Sequence, residues 1–240
     1  MKAPSPPRYG DGHAEGAAPE KGLGAAAGGC RGVGCGPADM TEPLLSGPDL
    51  WAASTAVLRT QRAVAGWRAS LPARFNGWDL ESFAGLDPPL PPAVVACLTD
   101  WVSLPVRNLI VIGSTGSGKT AAAVAAVDSV VSSLGLPARF FVYTELLDAF
   151  RSGDLRVADV AGFPLLVIDD LGGGRSTATE YEIEKIETLI NRRWLDGLPT
   201  VVTSSLTLER LQGRIGERAY DRLSEGALAV QITAPASRRR

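Results

Sequence analysis

The apolar residues of this chain fall into short continuous runs that alternate with longer segments of helical periodicity. The short runs predict five strands, at 108–112, 139–143, 165–169, 200–204 and 228–232. The longer segments predict helices at 92–103, 119–134, 145–151, 180–195, about 207–213 and 217–224. Continuously apolar strands separated by helices are typical of a mainly parallel sheet covered on both faces. The pattern therefore predicts an α/β fold with a five-stranded sheet.

The region before this alternation divides into two parts. Residues 1–48 are rich in Gly, Ala and Pro and carry almost no large apolar side chain, so we expect a disordered arm. Residues 49–71 predict an amphipathic helix that Asp49 can cap. Its apolar stripe either packs on the main domain, residues 72–240, or binds a partner; the stripe consists of Trp51, Val57, Leu58, Val64 and Trp67.

The composition limits the cellular location of the protein more than it limits its function. The net charge of −2 argues against a protein that coats nucleic acid by charge alone. Three cysteines make no disulfide framework, and Cys97, in an apolar helix, is expected in the core. No apolar run reaches the roughly 18–20 residues that span a bilayer, and the N-terminus lacks the apolar stretch of a signal peptide. We therefore expect a cytoplasmic protein without membrane contact.

A phosphate-binding loop is predicted between the first strand and the helix that follows it. The pattern G-x-x-x-x-G-K-[ST] is met at every fixed position of Gly113, Ser114, Thr115, Gly116, Ser117, Gly118, Lys119 and Thr120. Glycines let the backbone N–H groups turn inward, and the start of the helix adds its positive dipole end. Lys119 is expected to reach the β- and γ-phosphates, and the hydroxyl of Thr120 to ligate Mg²⁺.

A second acidic motif ends the strand 165–169, about 50 residues after the loop. Asp169 and Asp170 are adjacent carboxylates at the carboxyl end of a buried strand, where ligands bind in open α/β sheets. We expect Asp169 to hold Mg²⁺ through water, and Asp170 to orient or deprotonate the attacking water. The two motifs together predict ATP and Mg²⁺ as cofactors and an ATPase reaction.

With both motifs placed, residues 72–240 resemble the AAA+ ATPases, in particular the bacterial helicase loaders of the DnaC and DnaI type and the related IstB transposition ATPases. Three stretches carry the resemblance: LVIDDLG at 166–172, LINRRWLDGLPTVVTSS at 189–205 and RIGERAYDRL at 214–223. The chain ends about eight residues after the last strand, so we expect no C-terminal helical lid domain. The loader group is similarly lidless.

The resemblance implies roles for three further residues. Ser205 occupies the position of an asparagine that senses the γ-phosphate in the family. Arg222 stands where the family has its arginine finger, which reaches the nucleotide of a neighbouring subunit. Arg238 aligns with the arginine that serves as a second sensor, although it also belongs to a basic tail with Arg239 and Arg240.

Several of these positions have alternative interpretations. Arg222 could instead pair with Glu217 or Glu225 on its own helix, and Arg218 is a rival finger. Positive charge at Lys185, Arg192 and Arg193 could face single-stranded DNA or only solvent. Trp78 and Phe83 either flank the adenine or pack in the linker.

The resemblance implies an ATP-hydrolysing helicase loader in DNA replication initiation. Such a protein would bind the replicative helicase and single-stranded DNA, and would form a nucleotide-dependent homo-oligomer, a ring or a spiral. Two alternatives remain: an IstB-like transposition helper, and an adaptor that binds ATP without hydrolysing it.

Overall fold

The computed structural model describes residues 47–85, 89–174 and 177–233. Five strands form one sheet: β1 (Leu109–Gly113), β2 (Ala138–Val142), β3 (Leu165–Asp169), β4 (Thr200–Ser204) and β5 (Leu228–Ile232). The strand order is β2-β3-β4-β1-β5, and every neighbouring pair is parallel. The predicted α/β fold with a five-stranded sheet is confirmed, and the sheet is wholly parallel. The predicted disordered arm lies outside the described residues, apart from its last two positions.

The helices surround this sheet in chain order. They are α1 (Gly47–Ser70), α2 (Pro92–Ser103), α3 (Lys119–Leu134), α4 (Tyr143–Ser152), α5 (Val157–Ala161), α6 (Glu180–Leu195), α7 (Leu208–Ile215) and α8 (Glu217–Ser224), with short 3-10 helices at Ala73–Phe75 and Glu81–Gly85. Helix α5 was not predicted, because five residues are too few to show a helical period. None of the described helices is long and apolar enough to cross a bilayer.

Two hydrophobic cores, one on each face of the sheet, explain why the strand sequences are continuously apolar. Helices α1, α2 and α3 cover one face of the sheet, which receives Val111 and Val167. Helices α4 to α8 cover the other face, which receives Ile110 and Ile168. Because successive strand residues point to opposite faces, each position must be apolar when both faces are buried.

The C-terminal half of α1 packs on the domain. Arg68 pairs with Asp128 of α3 at 3.7 Å, and a side chain at Gly135, just past the end of α3, would collide with Thr60. Helix α1 therefore runs antiparallel to α3, and its residues before Thr60 extend beyond the end of α3.

The predicted apolar stripe of α1 is accordingly divided. Trp67 is fully buried and meets Phe140 edge to face, with ring centroids 6.5 Å apart. Val57 and Leu58 are 55% and 53% exposed, so the packing interpretation is wrong for them. The side chain of Trp51 lies outside the described part of the structure.

Cys97 is exposed on α2, and its expected place in the core is wrong. The buried side of this helix is formed by Val94, Leu98 and Trp101, which recur at helical spacing. Cys97 lies about 100° around the helix from Leu98, at the edge of the buried side, where its side chain reaches solvent.

Arg193 is an interior side chain, although its sequence suggested a DNA-facing or solvated position. It is 1% exposed, and its Nε donates to Thr200 Oγ1 at 2.9 Å. Its terminal nitrogens donate to the carbonyls of Ala161, Phe163 and Pro199. Burial lowers the pKa of Arg193 to about 10, so the guanidinium stays charged at neutral pH. It joins the end of α5, α6 and the start of β4.

We expect Arg193→Met to lower the free energy of unfolding by about 3 kcal/mol, because it leaves buried carbonyls without a donor. Urea denaturation followed by circular dichroism measures this. Arg192→Met is the matched control, since Arg192 is the exposed neighbour on the same helix. Equal stability of the two variants would contradict the structural role of Arg193.

Candidate nucleotide-binding site

The loop 113–118 connects the carboxyl end of β1 to the start of α3. Gly116 and Gly118 have φ of 81° and 91°, a left-handed conformation that favours glycine. At Gly113 a Cβ atom would lie 2.6 Å from the carbonyl oxygen of Ile232, so only glycine fits. Lys119 is 8% exposed, and its Nζ donates to the carbonyl of Ser114 at 3.3 Å, which folds the side chain back along the loop. The arrangement can accept an anion at the start of a helix.

The two predicted motifs meet at Asp169. Its Oδ1 accepts hydrogen bonds from Thr120 Oγ1 at 2.7 Å and from Thr203 Oγ1 at 2.6 Å. The hydroxyl that follows the loop and the carboxylate that ends β3 are therefore neighbours in space. A hydroxyl and a carboxylate are the hard oxygen ligands that Mg²⁺ prefers, so Thr120 and Asp169 fit this metal.

Thr203 is a site residue that sequence reasoning missed. Strand β4 lies between β1 and β3, and Thr203 of β4 donates to Asp169 while it accepts from the backbone N–H of Asp170 at 2.9 Å. The sequence did carry a signal for it: side chains alternate along a strand, so Thr203 and Ser205, two positions apart, are expected on the same side.

Asp170 adopts an unusual backbone conformation. Its φ is 54°, and among the described residues it is the only one other than glycine with positive φ. Its Oδ1 accepts a hydrogen bond from the hydroxyl of the exposed Ser205 at 3.2 Å. The structure thus brings these two predicted residues together, and strained backbone of this kind concentrates at functional sites.

No family model matches this chain, but it is similar to known proteins. The chain is 27% identical over 135 residues to the phage-like element PBSX protein XkdC of Bacillus subtilis, which covers 52% of this chain and 51% of XkdC. The chain therefore spans about half the length of this curated relative.

Solved structures resemble the chain over about two thirds of its length. The DnaC helicase loader superposes with a TM-score of 0.59 at 21% identity, covering 68% of this chain and 100% of DnaC. DnaI gives 0.58 at 18%, covering 70% and 94%. The replication initiator DnaA bound to AMPPCP and single-stranded DNA gives 0.54 at 17%, covering 68% and 52%.

The chain has the fold of the DnaC and DnaI structures. The resemblance drawn from the sequence is thereby confirmed at the level of the fold.

Within this fold, Arg222 lies far from the loop of its own chain. Asn108, immediately before β1, donates through Nδ2 to the carbonyls of Arg222 and Leu223, at 3.4 and 2.9 Å. The loop begins at the other end of β1, about 16 Å away for a five-residue strand. The Arg222 guanidinium instead lies 5.5 Å from the ring centroid of Trp194.

The structure also tests the alternative ion pairs that the sequence offered for Arg222. Among the described residues no ion pair joins Arg222 to Glu217 or Glu225, and Glu225 accepts a hydrogen bond from the indole of Trp194. Arg218 pairs with Glu187 at 3.8 Å. Arg238 lies outside the described residues.

The aromatic pair before helix α2 is buried. Trp78 and Phe83 are 9% and 1% exposed, and their ring centroids are 5.1 Å apart. Trp78 donates its indole N–H to the carbonyl of Arg74. This favours packing in the linker over contact with an adenine.

Proposed function

We propose that this protein is an ATPase that loads a replicative helicase onto single-stranded DNA during replication initiation in the cytoplasm of a bacterium. The contact between Thr120 and Asp169 carries the proposal, because it joins the phosphate loop to the acidic strand end at 2.7 Å. The AAA+ fold shared with DnaC and DnaI supports the replication role.

Each residue of the site has a separate role in the proposed ATPase reaction. Loop N–H groups from Gly113 to Gly118 and the ammonium of Lys119 bind the phosphates, and Thr120 and Asp169 hold Mg²⁺, which neutralises phosphate charge. Asp170 orients the attacking water, and Ser205 fixes that carboxylate through its hydroxyl. DnaA, of the same fold, is known bound to AMPPCP, an ATP analogue, which supports the choice of nucleotide.

Self-association completes the site in this proposal. Arg222 lies at the end of β1 opposite to the loop, so the guanidinium of one subunit serves the nucleotide of the next. ATP then favours a ring or spiral, because each bound triphosphate links two subunits. The second-sensor role of Arg238 remains a proposal from the resemblance.

The exposed half of α1 is the proposed helicase contact. Val57 and Leu58 are more than half exposed on a helix whose C-terminal half is anchored by Trp67. Burial of such side chains against a partner removes apolar surface from water and stabilises the complex.

Capture of purified replicative helicase on the immobilised protein tests the loader function. We expect retention with Mg²⁺-ATP, and at least about tenfold less retention by a Val57→Asp, Leu58→Asp double variant, because charge is then buried at an apolar contact. An Arg62→Asp variant is the control for added negative charge on α1. Helicase that is never retained, with or without ATP, would contradict the loader assignment.

A further inference from the structure

A buried arginine on α7 holds the loop that follows Asp170. Arg214 is 7% exposed, and its Nε donates to the carbonyl of Gly172 at 3.0 Å, while Nη2 lies 3.5 Å from the carbonyl of Gly173. Its Nη2 is also 3.7 Å from Oε2 of Glu182, whose side chain is 10% exposed. One guanidinium therefore joins α6, α7 and two successive loop carbonyls.

The carboxylate partner is itself fixed in place. Glu182 Oε2 accepts from the backbone N–H of Thr179, and the Thr179 hydroxyl accepts from the backbone N–H of Glu182, which is a capping box at the start of α6. Burial and the neighbouring Glu182 carboxylate raise the pKa of Tyr143, so this phenol beside the pair stays neutral.

Stability alone is a weak reason for such a buried pair. Replacing a buried ion pair by apolar residues of similar volume is often neutral or stabilising. The positions of the groups that Arg214 contacts suggest a different role, since both carbonyls belong to the segment directly after Asp170.

That segment is in direct contact with the Asp170 carboxylate. The backbone N–H of Gly173 donates to the carbonyl of Asp170 at 2.8 Å, closing a tight turn. A Cβ atom on Gly173 would overlap Asp170 Oδ2 and lie 2.8 Å from its Cγ. The carboxylate therefore rests against the backbone of Gly173, and a shift of that backbone moves the carboxylate.

We propose that Arg214 is a positioning residue for ATP hydrolysis: by holding the carbonyls of Gly172 and Gly173, it sets the position of the Asp170 carboxylate. Asp170, Gly173, Ser205 and Arg214 all line one cleft, so the contacts form a continuous path. The inference rests on the proposed function, in which Asp170 orients the attacking water.

The first test compares Arg214→Met with Arg210→Met. Arg210 lies one turn earlier on α7 and is exposed, so it controls for loss of an arginine from this helix. We expect Arg214→Met to lower kcat by about 100-fold with an unchanged Kd for a fluorescent ATP analogue, since a misplacement of about 1 Å can cost that much. Arg210→Met should keep both values.

The second test leaves Arg214 in place. Gly173→Ala puts a methyl group where the Asp170 carboxylate now rests, so it should also lower kcat while Kd stays unchanged. Combined with Arg214→Met it should add little, because both changes act through one carboxylate and their effects are then not additive. A purely structural arginine would give additive losses, and its loss would weaken binding as well as turnover.

The outcomes separate this inference from the function on which it rests. A wild-type protein that neither binds nor hydrolyses ATP overturns the proposed function, and the inference with it. If the wild type hydrolyses ATP, wild-type kcat in Arg214→Met overturns the inference alone, as does a loss in Arg214→Met that appears equally in Kd. Wild-type kcat in Gly173→Ala contradicts the role of Asp170 and therefore the inference as well. Should Arg214→Met fail to fold, as judged by its thermal melting, Arg214→Lys decides instead, because it keeps the buried charge but loses the paired donors to Gly172 and Gly173, and wild-type kcat in that variant overturns the inference.

Discussion

Lys119→Ala abolishes ATP binding if the loop 113–120 is the nucleotide site. The variant keeps the loop amides but removes the ammonium that the fold holds along the loop, 3.3 Å from the Ser114 carbonyl. The ammonium is expected to donate to both the β- and γ-phosphates, and hydrogen bonds to charged groups contribute about 1.5–3 kcal/mol each, so we expect Kd to rise by about 100-fold or more. Equilibrium titration with a fluorescent ATP analogue in the presence of Mg²⁺ measures the change.

Asp170→Asn is the matched comparison, because it alters the same site without touching the loop. This variant should bind ATP as the wild type does, while its turnover falls by about 1000-fold, within the usual range for a group that handles the proton of the nucleophile. Wild-type affinity in Lys119→Ala would remove the loop from the nucleotide site. Binding without any turnover in the wild-type protein would favour the non-hydrolysing adaptor.

Arg222→Ala binds ATP but does not hydrolyse it, and mixing it with Lys119→Ala restores part of the activity. Each single variant lacks one half of the composite site, and an arginine finger contributes about 10³–10⁵ in kcat. In a mixed assembly, the intact loop of an Arg222→Ala subunit can meet the intact Arg222 of a Lys119→Ala subunit. Steady-state phosphate release, measured over a series of mixing ratios, should pass through a maximum.

Arg218→Ala is the control for this experiment, since Arg218 lies on the same helix and is the rival finger. Its side chain is 82% exposed and pairs only with Glu187 within the described chain, so we expect turnover to be retained. Loss of activity in Arg218→Ala, rescued by mixing, would transfer the finger role to Arg218. Absence of any maximum for Arg222→Ala would remove its role in trans.

The amino-acid sequence by itself determined the elements and the two motifs. Strands at 165–169, 200–204 and 228–232 and helices at 119–134 and 180–195 have the predicted bounds. Hydrophobic period and turn chemistry are local properties, which explains this success. The phosphate loop is equally local, because left-handed turns at Gly116 and Gly118 and the following helix start are encoded within eight consecutive residues.

The tertiary structure alone decided which distant residues share an environment. Strand order places β4 between β1 and β3, and only this order lets Thr203 bridge to Asp169. The helical period puts Arg193 on the same side of α6 as Ile186 and Leu189, but only the fold supplies the buried acceptors that its charge needs. Only the fold shows that α1 extends past the end of α3. Burial of a charge depends on donors and acceptors that come from other elements, and these meet only when the chain has folded.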